Sequence, residues 1–401
     1  VKFGANRAVL ALSVARMGDA VGNSILFVIL PLYVAKLPAP AFPLPEPIRV
    51  GVLLSLYGLV NSMCQPLTGA LSDHLGRRKV LIQAGLIVMG LGTLGFLLAG
   101  RFVELVVLRS FQGLGVALTV PSAMALMAAV TEQKTRGGSM GIYTTLRMAG
   151  FAGGPLIGGF LYERFGFNAA FYAGAFAILL GFLAVQFWVN EAPVNDNGAR
   201  QRRFRVIDRE LLSPGILGVG AATMVMASTF SLMATLEKQF NSRLDQSALA
   251  FSVAFSALMV SRLLFQIPLG RLSDYIGRKK VILAGLFLLV PATALLGEAQ
   301  TTLQLVGLRL VQGLASAGIA APAFALAADL ASAGGEGRQM SVITMGFSLG
   351  LMLGPLVAGI LAVVFFELPF LVGGFLALIG ACVVYRYVPE TVHRRDASHA
   401  G

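Results

Sequence analysis

The chain has 401 residues, of which 56% are hydrophobic and only 12% charged, with a formal net charge of +12. That is too little polar surface to cover a water-soluble globule and too much hydrophobicity for a disordered chain. Soluble enzymes and disulfide-framework proteins are excluded by the same arithmetic, so the bilayer is the solvent in which this sequence folds.

A helix needs about 20 apolar residues to cross the hydrocarbon core, so about twelve crossings fit the length. Apolar runs predict them at 8–35, 48–71, 78–99, 102–128, 138–161, 168–190, 211–236, 247–271, 279–298, 302–330, 339–363 and 367–387. Runs of this kind are helices, because transmembrane strands read as short alternating segments. The predicted fold is an all-α membrane protein of twelve transmembrane helices in two pseudo-symmetric six-helix halves, 1–190 and 211–401, joined by a cytoplasmic linker at 191–210.

Cys64 and Cys382 sit alone inside spans 2 and 12 as small hydrophobes, and no metal or cofactor is expected. The first span has no small-residue cleavage pattern before or after it and is expected to be retained. After it, Pro38, Pro40, Pro43, Pro45 and Pro47 favour a stiff, extended connector.

The basic residues report topology. Arg77, Arg78, Lys79, Arg278, Lys279, Lys280 and the linker residues Arg200, Arg202, Arg203 and Arg205 all fall on one side. Lys36, Arg49, Arg101, Arg164, Lys238 and Arg243 lie opposite. The positive-inside rule then puts both termini in the cytoplasm. The high charge is thereby explained without nucleic acid; the lipid bilayer is the expected partner, and anionic headgroups suit the linker arginines.

The two halves match each other at an offset of about 200 residues. Gly69-Ala-Leu-Ser-Asp73-His-Leu-Gly76-Arg77-Arg78-Lys79 recurs as Gly270-Arg-Leu-Ser-Asp274-Tyr-Ile-Gly277-Arg278-Lys279-Lys280. Arg109-Ser-Phe-Gln112-Gly113 recurs as Arg309-Leu-Val-Gln312-Gly313, and Gly154-Pro155-Leu as Gly354-Pro355-Leu. Parallel repeats of this kind are used to alternate access to a site near the bilayer midplane.

On these motifs the whole chain resembles the major facilitator superfamily, and within it the twelve-span drug:proton antiporters. The loop after span 2 is similar to the superfamily's signature, and Arg109, Gln112 and Gly113 stand where the family's proton-coupling motif lies on span 4. Gly150, Gly154, Pro155, Gly158 and Gly159 are similar to the span 5 antiporter motif. The resemblance implies a secondary transporter of a bacterial inner membrane, exporting a small amphipathic compound or drug in exchange for protons, as a monomer. It also implies a conformational latch formed by Gly69, Asp73, Gly76, Arg77, Arg78, Asp274 and Arg278, for which simple topology is the competing role of the bases.

Asp19 is the one carboxylate placed deep in a span, where ionisable groups are costly and by default functional. Arg16, Asp19, Asn23 and Phe27 are spaced three or four apart and form one stripe on span 1. Counting Asp19 from the inner end of its span and Arg109 from the outer end of its own puts them at similar depth; the resemblance implies that spans 1 and 4 both line the central cavity, where the two would form a proton-coupling pair. A static pair of Asp19 with Arg16, one turn away, is the alternative. Arg16, Asn23, Phe27, Gln112, Arg147, Met226, Phe230, Arg262 and Arg309 are the candidate substrate-binding residues. The intramembrane arginines outnumber the deep carboxylate, which favours as second reading an exporter of an anionic metabolite or siderophore.

Glu237 and Asp329 fall near span ends, where interfacial water accounts for them. Met224, Met226, Phe230, Met233 and Phe265 are candidates for a deformable apolar wall. Two motif matches fail on context. Gly90-x-Gly92-x-x-Gly95 has no preceding strand, and Gly346-x-Ser348-x-Gly350 has no histidine base, since His74, His393 and His399 are all cytoplasmic. No enzymatic activity is expected.

Overall fold

A computed structural model describes residues 6–38, 44–131, 135–190, 213–330 and 336–391. The linker 191–210 and Pro40 and Pro43 lie outside the described residues, as does the side chain of Asp73. Among the described residues the chain is helical, without strands.

The helices are α1 (Arg7–Lys36), α2 (Glu46–Leu75), α3 (Arg78–Gly95), α4 (Phe102–Val130), α5 (Arg136–Phe165), α6 (Phe167–Trp188), α7 (Pro214–Thr235), α8 (Glu237–Arg243), α9 (Ala248–Ile276), α10 (Arg278–Ala294), α11 (Thr302–Asp329), α12 (Glu336–Leu361) and α13 (Leu368–Tyr387). A 3-10 turn, Leu295–Glu298, extends α10. Each predicted span coincides with one of these helices; α8, a seven-residue helix between spans 7 and 8, is additional.

Among the described residues, eleven helices are long and apolar enough to cross a membrane by length and composition. The remaining predicted span, α5, is 30 residues long but dilutes its apolar residues with glycines and carries Arg147 mid-length. Met63, Leu91, Val103, Phe187 and Leu303 are exposed on the helices, as lipid-facing surface requires.

Punctuation comes from glycine. Gly76 ends α2 at φ 65°, and Gly277 separates α9 from α10 at φ 114°; both are the last glycine of the repeated loop motif. Only a residue without Cβ takes up this left-handed backbone at low cost, which accounts for glycine at both places. Arg78 then donates to the Ala125 carbonyl of α4 at 3.0 Å, and Arg278 donates to the equivalent Ala325 carbonyl of α11.

The chain forms two compact units: the described residues within Val1–Val206 and Ala234–Ser256, and those within Ile207–Met233 and Ala257–Gly401. In the first, α1 packs on α5 and α6, α4 packs on α2 and α3, and α3 also meets α6. Leu12, Ile82, Leu86, Met89, Val116 and Leu126 fill its core. In the second, α10 packs on α11 and α13 around Ile282, Leu286, Leu289, Ile319 and Leu326.

Gly150, Gly154 and Gly158 lie against α1, as their spacing of four predicts. A methyl group on Gly150 would sit 2.6 Å from the Met17 carbonyl oxygen, and one on Gly154 2.9 Å from that of Val21 and in collision with Ser24 Oγ. The repeat preserves this seam: Gly350 meets Met224, Ala227 and Ser228, and Gly354 meets Ser228 and Ser231. The seams align Met17 with Met224, Ala20 with Ala227 and Ser24 with Ser231. Gly90 and Gly95 lie within helix α3, and Gly346 and Gly350 within α12, so neither rejected motif has the turn its chemistry needs.

Candidate functional site

Asp19 is 1% exposed, and its ion-pair partner is Arg16, three residues back on α1. Arg109, fully buried, instead donates to Asn23 Oδ1 at 2.9 Å and to Gln112 Oε1 at 2.9 Å. The direct Asp19–Arg109 contact expected from depth is therefore not the one the structure makes. The reason is length. α1 has 30 residues and α4 has 29, about 45 Å of helix at 1.5 Å per residue, against a core of about 30 Å. Helices longer than the core do not fix each other's heights, and Arg109 stands level with Asn23, about one turn of α1 beyond Asp19.

Two polar clusters result. In the inner one, the Arg147 guanidinium of α5 is within electrostatic reach of Asp19, Arg16, Tyr143 and Tyr57. Arg147 also faces the Phe151 ring at 5.5 Å. In the outer one, Gln112 Nε2 passes the network on to Thr93 Oγ1 at 2.9 Å, and Phe27 faces Arg109 at 5.9 Å. Tyr57 of α2 joins them: its ring lies 4.8 Å from the Arg109 guanidinium, a cation–π distance, while it also feels Asp19 and Arg16. Tyr57, Tyr143 and Thr93 were not predicted. Their signal lies in pairing between helices, which no single helix stripe carries.

The second unit keeps one cluster and lacks the other. Arg309, fully buried, donates to Gln312 Oε1 at 2.8 Å and Gln312 Nε2 to Thr293 Oγ1 at 3.0 Å, a copy of the Arg109–Gln112–Thr93 chain. Where Asn23 stands in α1, α7 has Phe230, whose carbonyl accepts from Arg309 at 3.3 Å and whose ring lies 5.6 Å from it. By the seam alignment, Thr223 and Met226 occupy the places of Arg16 and Asp19. Thr223 Oγ1 donates to the Ile343 carbonyl at 3.2 Å, Ile343 standing in the repeat where Tyr143 stands in the first unit. Among the described residues, the buried Arg16–Asp19 pair of the first unit is thus replaced at the matching positions of the second by Thr223 and Met226.

The remaining candidates separate. Arg262 is half-buried, 5.9 Å from the Phe347 ring, and Met226 and Phe230 are buried. Phe265 is 42% exposed on α9 and makes no buried wall there. Asp274 is exposed at 56% and its ion-pair partner is Arg278, which also pairs with Asp329. Gly159 faces Ser252 rather than α1. Glu237, expected to be solvated, is 0% exposed. Among the described residues no group of His, Cys, Asp and Glu has metal-site geometry.

Twelve helices of membrane-spanning length in two repeated sets, with polar and charged side chains buried inside each, define a multi-pass membrane transporter. The sequence profile of the Major Facilitator Superfamily matches residues 12–260 and 215–401, and the chain belongs to that superfamily. It is 28% identical over 350 residues to the uncharacterized MFS-type transporter YuxJ of Bacillus subtilis, covering 84% of this chain and 87% of that one. It is 26% identical over 299 residues to the multidrug resistance protein MdtG of Escherichia coli, covering 73% of this chain and 72% of the relative. Among solved structures it resembles a bacterial homologue of the human lysosomal transporter Spinster, with TM-score 0.77 at 16% identity over 94% of this chain and 95% of that one. The human organic anion transporter MFSD10 matches with TM-score 0.67 at 19% identity, over 94% of this chain and 99% of that one. Both likenesses are of fold.

Proposed function

We propose that this transporter is a proton-coupled exporter of a small amphipathic organic compound, a bacterial inner-membrane antiporter with both termini in the cytoplasm, in which Asp19 carries the proton. The observation that supports this reading is the buried Arg16–Asp19 pair with Arg147 beside it, present in one repeat and replaced by Thr223 and Met226 in the other. Ionised Asp19 offsets Arg16; protonated, it leaves two guanidinium groups facing each other in an apolar bundle, an arrangement that favours rearrangement or entry of a compensating group. Arg109, linked to this cluster through Tyr57, is the second member of the coupling set. The multidrug resistance relative MdtG agrees with export.

Asp19→Asn is the test in proteoliposomes loaded with a fluorescent lipophilic cation. Efflux driven by a pH gradient is expected to vanish while binding of the dye persists; coupled efflux that survives removes Asp19 from the mechanism. For Asp73 we propose the latch role: Asp73→Asn should shift the populations of inward-open and outward-open forms, read as distances between spin labels.

The balance of charge favours a second reading. Arg16, Arg109, Arg147, Arg262 and Arg309 lie within the long helices, and the carboxylate buried at mid-helix among the described residues is Asp19. Anionic cargo would supply the missing charge. Competition between an anionic and a cationic dye of similar size separates the two, since the anion displaces the cation only if the arginines line its path.

A further inference from the structure

Outside the Asp19 cluster a second carboxyl is fully buried: Glu237, the first residue of α8. Both of its carboxylate oxygens are buried without a hydrogen-bond partner. Asn241, one turn on, is the polar side chain that favours its charged form, and burial outweighs that help; the Asn241 amide oxygen accepts from Gln246 at 3.2 Å. A carboxyl in such a place is stable as the neutral acid and unstable as an anion. Burial pushes its pKa well above the usual carboxylate range.

Its surroundings make this more than a packing defect. The segment Ala234–Ser256 is seated on the first unit although α7 and α9, which it joins, continue into the second. Three attachments hold it. Lys238 pairs with Glu46 of α2 at 2.7 Å, and Glu163 of α5 accepts from the Leu249 amide at 2.8 Å. A file of aromatic rings runs from Phe27 of α1 to Phe255 at 5.8 Å, then to Phe251 at 6.5 Å and Phe240 at 6.1 Å. Glu237 is a fully buried member of this segment.

The charged groups of the adjoining elements do not neutralise it. Lys238 is engaged by Glu46, Lys36 of α1 lies over the Phe167 ring at 4.7 Å, and Glu163 is held by the Leu249 amide. The titratable neighbour that registers its charge is Tyr162 of α5. Around the hinge, Leu236 is fully buried, and Asp245 turns the chain from α8 to α9 at φ 47°.

We propose that Glu237 is a second protonation site, which locks Ala234–Ser256 against α1 and α5 while it holds a proton and releases the segment when it ionises. Buried in the seated segment it stays neutral; once the segment lifts, water solvates the carboxylate and the proton leaves. The proposal adds a device to the transport reading but does not depend on Asp19 or on the cargo.

The experiment uses full-length protein in nanodiscs, with Cys64 and Cys382 replaced by Ser and spin labels on Ser242→Cys and Arg164→Cys, both at exposed positions. Distance distributions are recorded from pH 5 to pH 9 without substrate. A long-distance population that grows at least threefold with rising pH is expected, and Glu237→Gln should hold the short distance throughout. If the Gln variant titrates like the parent, or the parent shows no pH-dependent opening, the proposal is overturned. Should Glu237→Gln not fold, Glu237→Asp serves: its midpoint must move, and an unmoved midpoint is equally fatal. Coupled efflux is measured separately on Asp19→Asn, so failure of the export reading leaves this result interpretable.

Discussion

Arg109 donates to Asn23 at 2.9 Å, while in the second half Arg309 meets Phe230 at the corresponding place through a backbone carbonyl at 3.3 Å. The same span-4 network is therefore closed by an amide side chain in one repeat and by an aromatic residue in the other. Beside Asn23, one turn along α1, sits the ion pair that the second repeat lacks. The repeats supply a common frame, and chemistry is added to one of them.

The Arg16–Asp19 pair is buried on both sides, so breaking it from one side should be costly. Asp19→Leu is expected to destabilise the protein by about 3–5 kcal/mol because it leaves a buried guanidinium without its counter-charge. The double variant Arg16→Met, Asp19→Leu should recover most of that loss while remaining inactive in gradient-driven transport. Thermal unfolding of the four proteins of this cycle in detergent checks both parts.

The α1–α5 seam allows a paired test on adjacent glycines. Gly154→Ala forces a methyl group into Ser24 Oγ and to 2.9 Å from the Val21 carbonyl, whereas a methyl on Gly153 meets nothing within 4 Å. Gly154→Ala should cost about 1–3 kcal/mol and Gly153→Ala should be near neutral, measured by melting temperature. Equal effects would mean that α1 and α5 are not in close backbone contact.

Gly76 and Gly277 hold positive φ at the same place in the two loop motifs. Gly76→Ala should lower stability by about 1 kcal/mol, and Gly76→Asn by less, because Asn tolerates the left-handed region. Gly277→Ala should be the worse of the two alanine changes, since its φ 114° and ψ 134° lie outside the left-handed helical region that Gly76 occupies at φ 65° and ψ −6°.

Glu237 gives a pH dependence whose sign follows from its burial. The folded-state pKa is raised above the unfolded value of about 4.3, so the folded protein binds more protons between the two. Its contribution to stability is complete below about pH 4 and is lost as pH rises through the folded-state pKa. The difference in melting temperature between the parent and Glu237→Gln should therefore widen in favour of the variant as pH rises from 4 to 9. A constant difference would show that the carboxyl does not change its protonation in that window.

The predicted spans and the helices agree because crossing a bilayer requires long apolar runs, a property carried by each segment on its own. The same holds for the loop motif: Gly76 and Gly277 are legible because a left-handed turn restricts residue choice locally. The Arg16–Asp19 pair was legible as an alternative, being one turn of one helix. The expectation of an Asp19–Arg109 contact failed because it needed the relative heights of α1 and α4, and helices longer than the membrane core do not report their heights through their length. Glu237 was misread for a related reason: the short helix α8 is too brief to show in a hydropathy pattern, and a residue near a span end looks solvated until the packing above it is known.

Length, composition and the offset repeat by themselves determined that this chain is a helical membrane protein of two related halves and placed its candidate charges on named helix faces, because those properties depend on neighbours in sequence. Which charge meets which was decided only by tertiary structure. Asn23 rather than Asp19 under Arg109, Tyr57 between the two clusters, and Glu237 buried within Ala234–Ser256 depend on how far each helix is slid and turned against the next, and that is set by side chains far apart in sequence.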